Sequence, residues 1–328
     1  LVENNDIGYN LMDGLVVTWQ SRDVTVRHNC MHHHVLWGHP DNMQVYRDVT
    51  GLRIEENLLL CGGQSIMMEE TEDGVIRGNT FIGSGANMVI LGHGNSNRYA
   101  ISRNTFALPG YSCMSLSGDE YDITDNICFA GQGSCVYGVR GVEGYHGDRN
   151  LLYHSDRCES AQVMSTDTGW HRDFDVARKS TGQDADSLYA APQLVNAPVA
   201  SGVIDSGHLA DCTRETIYVR GGTELFLQGD IVEVNYDGVA RRVTKIEDAT
   251  ITLDPPLPER PMSSSLIAVW GDNEDLRLDL RPSKSSPART MSQAATAIGS
   301  TIDVQAYLQG DFNGDGHRDR RATPKEVE

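Results

Sequence analysis

Val26-Arg-His-Asn29 is one copy of a phrase that recurs as Ile54-Glu-Glu-Asn57, Ile76-Arg-Gly-Asn79, Ile101-Ser-Arg-Asn104 and Ile123-Thr-Asp-Asn126. Each copy has an aliphatic residue, two polar residues and an asparagine. With Asn5 and Asn150, these asparagines follow one another at intervals of 24, 28, 22, 25, 22 and 24 residues. Self-similarity at a period of this length marks a solenoid, and the matching flanks argue against chance repetition.

The residues around each asparagine indicate β structure. An apolar residue stands two positions after every one of the seven, and apolar and polar residues alternate over four to six positions, which suits half-buried strands. A polar or Gly-containing corner and a second short strand follow, as in Gly14-Leu-Val-Val-Thr18. No segment keeps a helical stripe over three turns. The repeated apolar positions are Ile7, Met31, Leu59, Phe81, Phe106, Cys128 and Leu152.

A coil of this length with two or three short strands resembles the right-handed parallel β-helix of pectate lyases and their relatives, over about residues 1–160. The resemblance implies that like positions of successive coils stack at about the ordinary strand spacing of 4.8 Å. The asparagines would then form an inward ladder of hydrogen bonds, and the apolar set a continuous core stack.

The expected fold class is all-β, a right-handed parallel β-helix with a small antiparallel β insertion near the C-terminus. We assign the coils to residues 1–200, the insertion or small β domain to 215–271, a closing segment to 272–300 and a tail to 301–328. Strands alternate cleanly in the insertion, and Asp237-Gly238 predicts a two-residue hairpin turn. Gly182-Gln-Asp-Ala-Asp-Ser187 and Asp279-Leu-Arg-Pro282 resemble phrases in the closing coils of secreted β-helix proteins.

Charge and hydropathy exclude two classes of partner. The formal charge is −19 and no run of Lys and Arg is present, which argues against nucleic acid. No stretch approaches eighteen apolar residues, so no membrane span is expected. The chain opens inside a coil, at Leu1-Val-Glu-Asn-Asn5, so we expect upstream coils, a cap or a leader to be missing. The open coil also allows self-association.

Cysteine spacing argues against zinc, because the seven cysteines form no CxxC pair. Cys113 and Cys135 each follow a ladder asparagine by nine residues, so they stack in adjacent coils. Either a disulfide or two buried thiols fits that placement. Cys158 follows Asn150 by eight residues, which allows it to meet Cys135 or Cys212.

The tail contains a segment that resembles an EF-hand or dockerin calcium loop. Asp311-Phe-Asn-Gly-Asp-Gly-His-Arg-Asp319 has oxygen-bearing residues at loop positions 1, 3, 5 and 9 and glycine at position 6. It departs at position 12, where Ala322 replaces the bidentate Glu. The alternatives are a structural Ca²⁺ site and a solvated acidic tail. The expected metal ligands are Asp311, Asn313, Asp315, His317 and Asp319.

The coil that begins at Asn29 is about five residues longer than its neighbours. Because the core fixes coil length, the extra residues bulge outward, and such insertions mark binding faces. His39-Pro-Asp41-x-x-Gln44 resembles a phrase found in carbohydrate-active β-helix proteins. A hydrogen-bonded loop is the alternative. The candidate substrate-binding residues are His32, His33, His34, Trp37 and Gln44.

Counting from the ladder also predicts a strip of catalytic residues beside this insertion. Asp41 is expected one coil from Glu69 or Glu70, close enough to share acid and base roles or a metal. The planar guanidinium of Arg47 matches the carboxylate of an anionic sugar. Tyr46, His39 or His93 can transfer a proton as a general acid or base. Solvated charges or an ion pair between Arg47 and the glutamates are the alternatives. The candidate catalytic residues are His39, Asp41, Tyr46, Arg47, Glu69, Glu70 and His93.

Two classes of function fit this reading. The first is a secreted, extracellular or cell-surface enzyme on an acidic polysaccharide, acting as a lyase or epimerase along a groove of the solenoid. Its hydrolase version would use Asp41 with Glu69 or Glu70. The second is a non-catalytic extracellular β-helix that serves as a structural, adhesion, filament or carbohydrate-binding module.

Overall fold

The fold is a parallel β-helix, as predicted. The computed structural model describes residues 1–35, 40–93, 96–131, 135–139, 141–158, 162–291, 297–313 and 316–319, without the side chains of residues 92, 93 and 135. In the described part, successive coils pair in parallel through an eight-stranded and a fourteen-stranded sheet. The antiparallel sheet that follows confirms the expected all-β class.

The asparagine ladder is formed by direct bonds from coil to coil. Each side-chain Nδ2 donates to Oδ1 of the next asparagine over 2.9–3.1 Å, from Asn5 through to Asn150. The same Oδ1 accepts the backbone N–H of the preceding asparagine. Since the residue before each asparagine has a positive φ, the chain turns sharply there and the amide points inward. Those residues are Asn4, His28, Glu56, Gly78, Arg103, Asp125 and Arg149.

Sheet 1 consists of the strands that follow the ladder, and its inward residues are the predicted apolar stack. Ile7 pairs with Met31, and the row continues through every predicted position to Leu152. Phe81 and Phe106 stack with ring centroids 4.6 Å apart, inside the buried core. The strands of sheet 1 are Asp6–Gly8, Cys30–His34, Leu58–Gly62, Thr80–Ser84, Thr105–Pro109, Ile127–Ala130, Leu151–His154 and Leu188–Tyr189.

Sheets 2 and 3 complete each coil and are joined by the long strand Gln64–Arg77, which pairs with strands of both. Asp41–Thr50 is a second long strand, and it belongs to sheet 2. The remaining strands of sheet 2 are Leu15–Thr18, Val89–His93, Met114–Leu116, Cys135–Gly138, Gln162–Thr166 and the antiparallel Gly169–His171. The other strands of sheet 3 are Val2–Glu3, Thr25–Arg27, Arg53–Glu55, Asn97–Ser102, Tyr121–Thr124 and His146–Asp148. Arg53–Glu55 pairs with Thr25–Arg27 on one side and with Gln64–Arg77 on the other.

The C-terminal end of the ladder is closed by the phrase at residues 182–187. Asn150 donates its backbone N–H to Ser187 Oγ and its side-chain N–H to Asp184 Oδ1. The other carboxylate oxygen of Asp184 accepts the hydroxyls of Tyr137 and Tyr145 at 2.7 and 2.6 Å. The α-helix Phe174–Thr181, capped by Asp173 and Gly182, covers the same end of the core.

The antiparallel sheet starts earlier than predicted, because Ala200–Val203 pairs with Leu266–Gly271 inside it. The predicted two-residue hairpin at 237–238 is wrong. Six residues, 235–240, separate its flanking strands, and two of them, Asn235 and Tyr236, have a φ of 54°. This longer loop lays Tyr236 on the solenoid, where a Cβ at Gly83 would lie 2.6 Å from its ring. The other strands are Thr216–Tyr218, Ile231–Val234, Arg241–Glu247 and Thr250–Asp254.

The closing segment returns to the solenoid. Leu194–Asn196 pairs with Asp279–Pro282, and short helices follow at Ala288–Met291 and Val304–Gln309, with a 3₁₀ turn at Ser206–His208. In the described ranges no helix is long and apolar enough to cross a bilayer. Cys113 is buried, and Cys158 and Cys212 pack in one core cluster without a disulfide between them. The side chain of Cys135 lies outside the described atoms, so both alternatives for Cys113 and Cys135, a disulfide or two thiols, stay predictions.

Candidate functional site

The structure distributes the predicted site residues over three places. Tyr46, Arg47, Glu69 and Glu70 lie on the outside of sheet 2, together with Gln44. His34 and Asp41 lie in a buried corner between sheets 1 and 2. His32 and His33 lie on the outside of sheet 1. Trp37 and His39 fall outside the described residues, as does the side chain of His93.

The first place, the outer face of sheet 2, runs across four coils, with a shift of register between Leu91 and His93. Thr18 pairs with Tyr46, Tyr46 with Glu69, and Glu69 with the backbone of His93. Since strands alternate their side chains, Tyr46 and Glu69 both point away from the core residues Val45 and Met68. The predicted neighbourhood of Tyr46, Glu69 and His93 is therefore confirmed at the backbone level, and the two described side chains are half-buried.

Arg47 is held on this face by aromatic rings. Its φ of 70° turns the side chain outward, and its Cζ lies 4.2 Å above the ring of Trp19 and 5.3 Å from the ring of Tyr46. Trp19 is 69% exposed. Among the described residues Arg47 pairs with no carboxylate, so the alternative of an ion pair with Glu69 or Glu70 is wrong. Stacking leaves the in-plane N–H groups of a guanidinium available to an anion.

Asp41 does not join Glu69, and the predicted pair of carboxylates is wrong. Asp41 pairs with Gln64, while Glu69 pairs with Tyr46, five residues further along both strands. At about 3.3 Å per residue that offset is roughly 16 Å. Paired carboxylates in glycosidases stand about 5–10 Å apart. The same offset removes the predicted shared metal between Asp41 and Glu69 or Glu70.

The second place is a polar corner buried inside the coil. His34, Asp41 and Asn42 are at most 1% exposed. Both ring nitrogens of His34, Oδ1 of Asp41 and the Asn42 amide have no hydrogen bond of ordinary length to the described residues. Burial, with the nearby charge of Asp13, raises the pKa of Asp41 to about 8. Burial lowers the pKa of His34 to about 4, so His34 is neutral near pH 7.

The third place is a cleft on the outer side of sheet 1, between the solenoid and the helix Val304–Gln309. His32 Nε2 lies 2.7 Å from Asp6 Oδ1, and its Nδ1 lies 2.7 Å from His33 Nδ1. His33 stacks on Tyr9 with ring centroids 4.9 Å apart. The cleft has a volume of about 450 Å³, and Asp6, Cys30, Tyr307 and Leu308 complete its lining.

The calcium-like loop folds on itself in the described part. Asp311 Oδ2 accepts the backbone N–H of Gly316, and the Asp319 carboxylate accepts from the Phe312 backbone and the Asn313 amide. These bonds gather Asp311, Asn313 and Asp319. Asp315 lies outside the described residues, so the Ca²⁺ site at these residues and His317 stays a prediction.

Comparison with known protein families, with curated proteins and with solved structures found no match. Sequence reasoning missed Trp19, although the alignment of Val17 with Val45 places it one coil from Arg47. It also missed the approach of Asp6 and Cys30 to His32.

Proposed function

We propose that this protein binds an extended acidic polysaccharide along the outer face of sheet 2 and acts on it as a lyase or epimerase outside the cell. The observation that carries the proposal is Arg47, stacked on Trp19 and Tyr46 and without a carboxylate partner in the described part of a chain whose net charge is −19. Several other arginines of the solenoid contact carboxylates; Arg98, for example, contacts both Glu72 and Asp73.

Each group of the face has a role in uronate chemistry. The Arg47 fork matches a sugar carboxylate and neutralises it, which makes the adjacent C–H more acidic. Tyr46 and Glu69 stand in adjacent coils, so one can take that proton while the other protonates the leaving oxygen. The exposed indole of Trp19 offers an apolar surface to a sugar ring.

Two alternative functions were predicted from the sequence, a hydrolase and a non-catalytic binding module. One experiment distinguishes them from the lyase or epimerase. The hydrolase version loses its support because Asp41 is buried and distant from Glu69. The non-catalytic binding module uses the same face without turnover.

The test is a panel of alginate, pectate, glycosaminoglycans and sulfated fucans, each with and without Ca²⁺. Ultraviolet absorbance detects unsaturated uronates, a reducing-end assay detects hydrolysis, and NMR of the sugar detects epimerisation. We expect activity on one uronate polymer, lost in Arg47→Ala and Tyr46→Phe. Arg53→Ala is the matched control, because Arg53 is exposed and paired with Glu55.

Binding of a glycan without turnover, with that binding lost in Arg47→Ala, would show that the protein is a non-catalytic binding module and not an enzyme. Reducing ends without unsaturation would indicate a hydrolase. Neither binding nor turnover on any glycan of the panel would refute the proposal for these substrates.

A further inference from the structure

We propose that Asp6, Cys30 and His32 bind a divalent transition metal of the zinc class on the outside of sheet 1, with His33 orienting His32. This site lies on a different sheet from the proposed glycan face and does not depend on it. Its ligands come from two adjacent coils.

The strand register brings the three ligands together. Asp6 pairs with Cys30 across the first two coils, and His32 lies two residues after Cys30 on the same face. One ligand atom from each residue lies within 4.8 Å of the other two. In a tetrahedral zinc site ligand atoms stand about 3.3–3.6 Å apart, so movements of about 1.5 Å or less complete the coordination.

Gly8 makes this arrangement possible. It pairs with His32 in the neighbouring coil, and a Cβ at Gly8 would lie 2.3 Å from Cε1 of the imidazole. The His32 ring therefore occupies the space that any other residue would fill, and from there it reaches Asp6.

The hydrogen bonds of His33 leave a place for a cation between His32 and Asp6. The backbone carbonyl of Asn235 accepts an N–H from the His33 ring. The other ring nitrogen, His33 Nδ1, then serves as an acceptor, and His32 Nδ1–H donates to it over 2.7 Å. His32 Nε2 then faces Asp6 Oδ1 at 2.7 Å, so two acceptors meet unless a proton or metal lies between them.

This is the pattern of a metal-binding imidazole, which usually donates its second ring N–H to an outer partner. Thiolate and imidazole donors select zinc-class ions over Ca²⁺ and Mg²⁺. Cys30 is 2% exposed and a thiol, and it would lose its proton on binding. The cleft of about 450 Å³ beside the ligands leaves room for a water as fourth ligand.

The test is a Co²⁺ titration of the whole chain under reducing conditions. We expect one equivalent to give tetrahedral d–d bands and a thiolate-to-cobalt charge-transfer band that Zn²⁺ bleaches. Cys30→Ala should remove the charge-transfer band. Cys212→Ala is the matched control, since it removes a buried thiol from the core cluster of the antiparallel domain.

His33→Phe keeps the three ligands and tests the orienting role. We expect the spectrum to persist while affinity for Co²⁺ falls about 10–100-fold. Circular dichroism identifies any variant that fails to fold, and Asp6→Asn, exposed at the edge of the coil, provides a second ligand variant that should weaken binding. Absence of the charge-transfer band in the parent, or its persistence in Cys30→Ala, would overturn the metal site. Unchanged affinity in His33→Phe would overturn the role of His33.

Discussion

Replacement of Asp41 by Asn should remove a pH dependence from folding stability. In the folded chain the pKa of Asp41 is about 8, against the ordinary value of 3.8 that applies to the unfolded chain. Between these values the folded state binds one more proton, so stability falls as pH rises. At about 1.4 kcal/mol per pH unit, the upper limit between about pH 5 and 8 is roughly 4 kcal/mol.

Urea unfolding followed by circular dichroism at several values between pH 5 and 8 measures this effect. As pH rises, the free energy of unfolding of Asp41→Asn should increase relative to that of the parent chain. Other shifted groups, such as Glu233 with a pKa of about 7, are common to both proteins and cancel in the difference. Asp13→Asn is the control: it keeps the acceptor for the Asp41 backbone N–H and removes the charge, so it should reduce the slope only in part. A difference between parent and Asp41→Asn that is constant across this range would refute the reasoning.

Three further changes test the architecture by urea unfolding. Asn79→Ala deprives two buried donors of Asn57 of their acceptor, so we expect a loss of about 2–5 kcal/mol; a loss below about 1 kcal/mol would contradict the ladder as a stabilising element. Phe106→Ala should cost about 3–5 kcal/mol, because it empties a fully buried stack; an unchanged midpoint would mean that the stack does not persist in solution. Gly83→Ala should cost more than Gly182→Ala, since both have positive φ but only the Cβ at 83 meets Tyr236; equal costs would show that this tyrosine does not pack there.

The ladder and the core stack were predictable because each coil repeats the same local solution. The regularly spaced asparagines and their matching flanking residues indicate both the turn before each strand of sheet 1 and the row of side chains that points into the core. Every predicted partner in that row, from Ile7 to Leu152, is in register. The loop at 235–240 was not predictable from its Asp-Gly pair, because its conformation is set by contact of Tyr236 with the solenoid.

The positions of the candidate site residues were predictable only where counting from the ladder asparagines gives the correct pairing between strands of neighbouring coils. Tyr46 and Glu69 were correctly placed as neighbours. Asp41 was counted as close to Glu69, although Asp41 begins the strand and Tyr46, the partner of Glu69, stands five residues further along it. The histidine run was read as one loop, whereas strand alternation and the positive φ of His33 send His32 and His33 outward and His34 inward. The Cys30-x-His32 spacing, one coil after Asp6, was the sequence signal for the proposed metal site.

The ladder also has an electrical direction. Every Nδ2 points to the following coil and every Oδ1 to the preceding one, so the amide dipoles align head to tail as peptide dipoles do in an α-helix. The positive pole of this array lies at Asn150, and there the carboxylate of Asp184 accepts the last amide. Interior coils are electrically equivalent, so a coil can be added or removed among them without changing the bonds at either pole. The last coil is different, because it has to end a dipole with an anion.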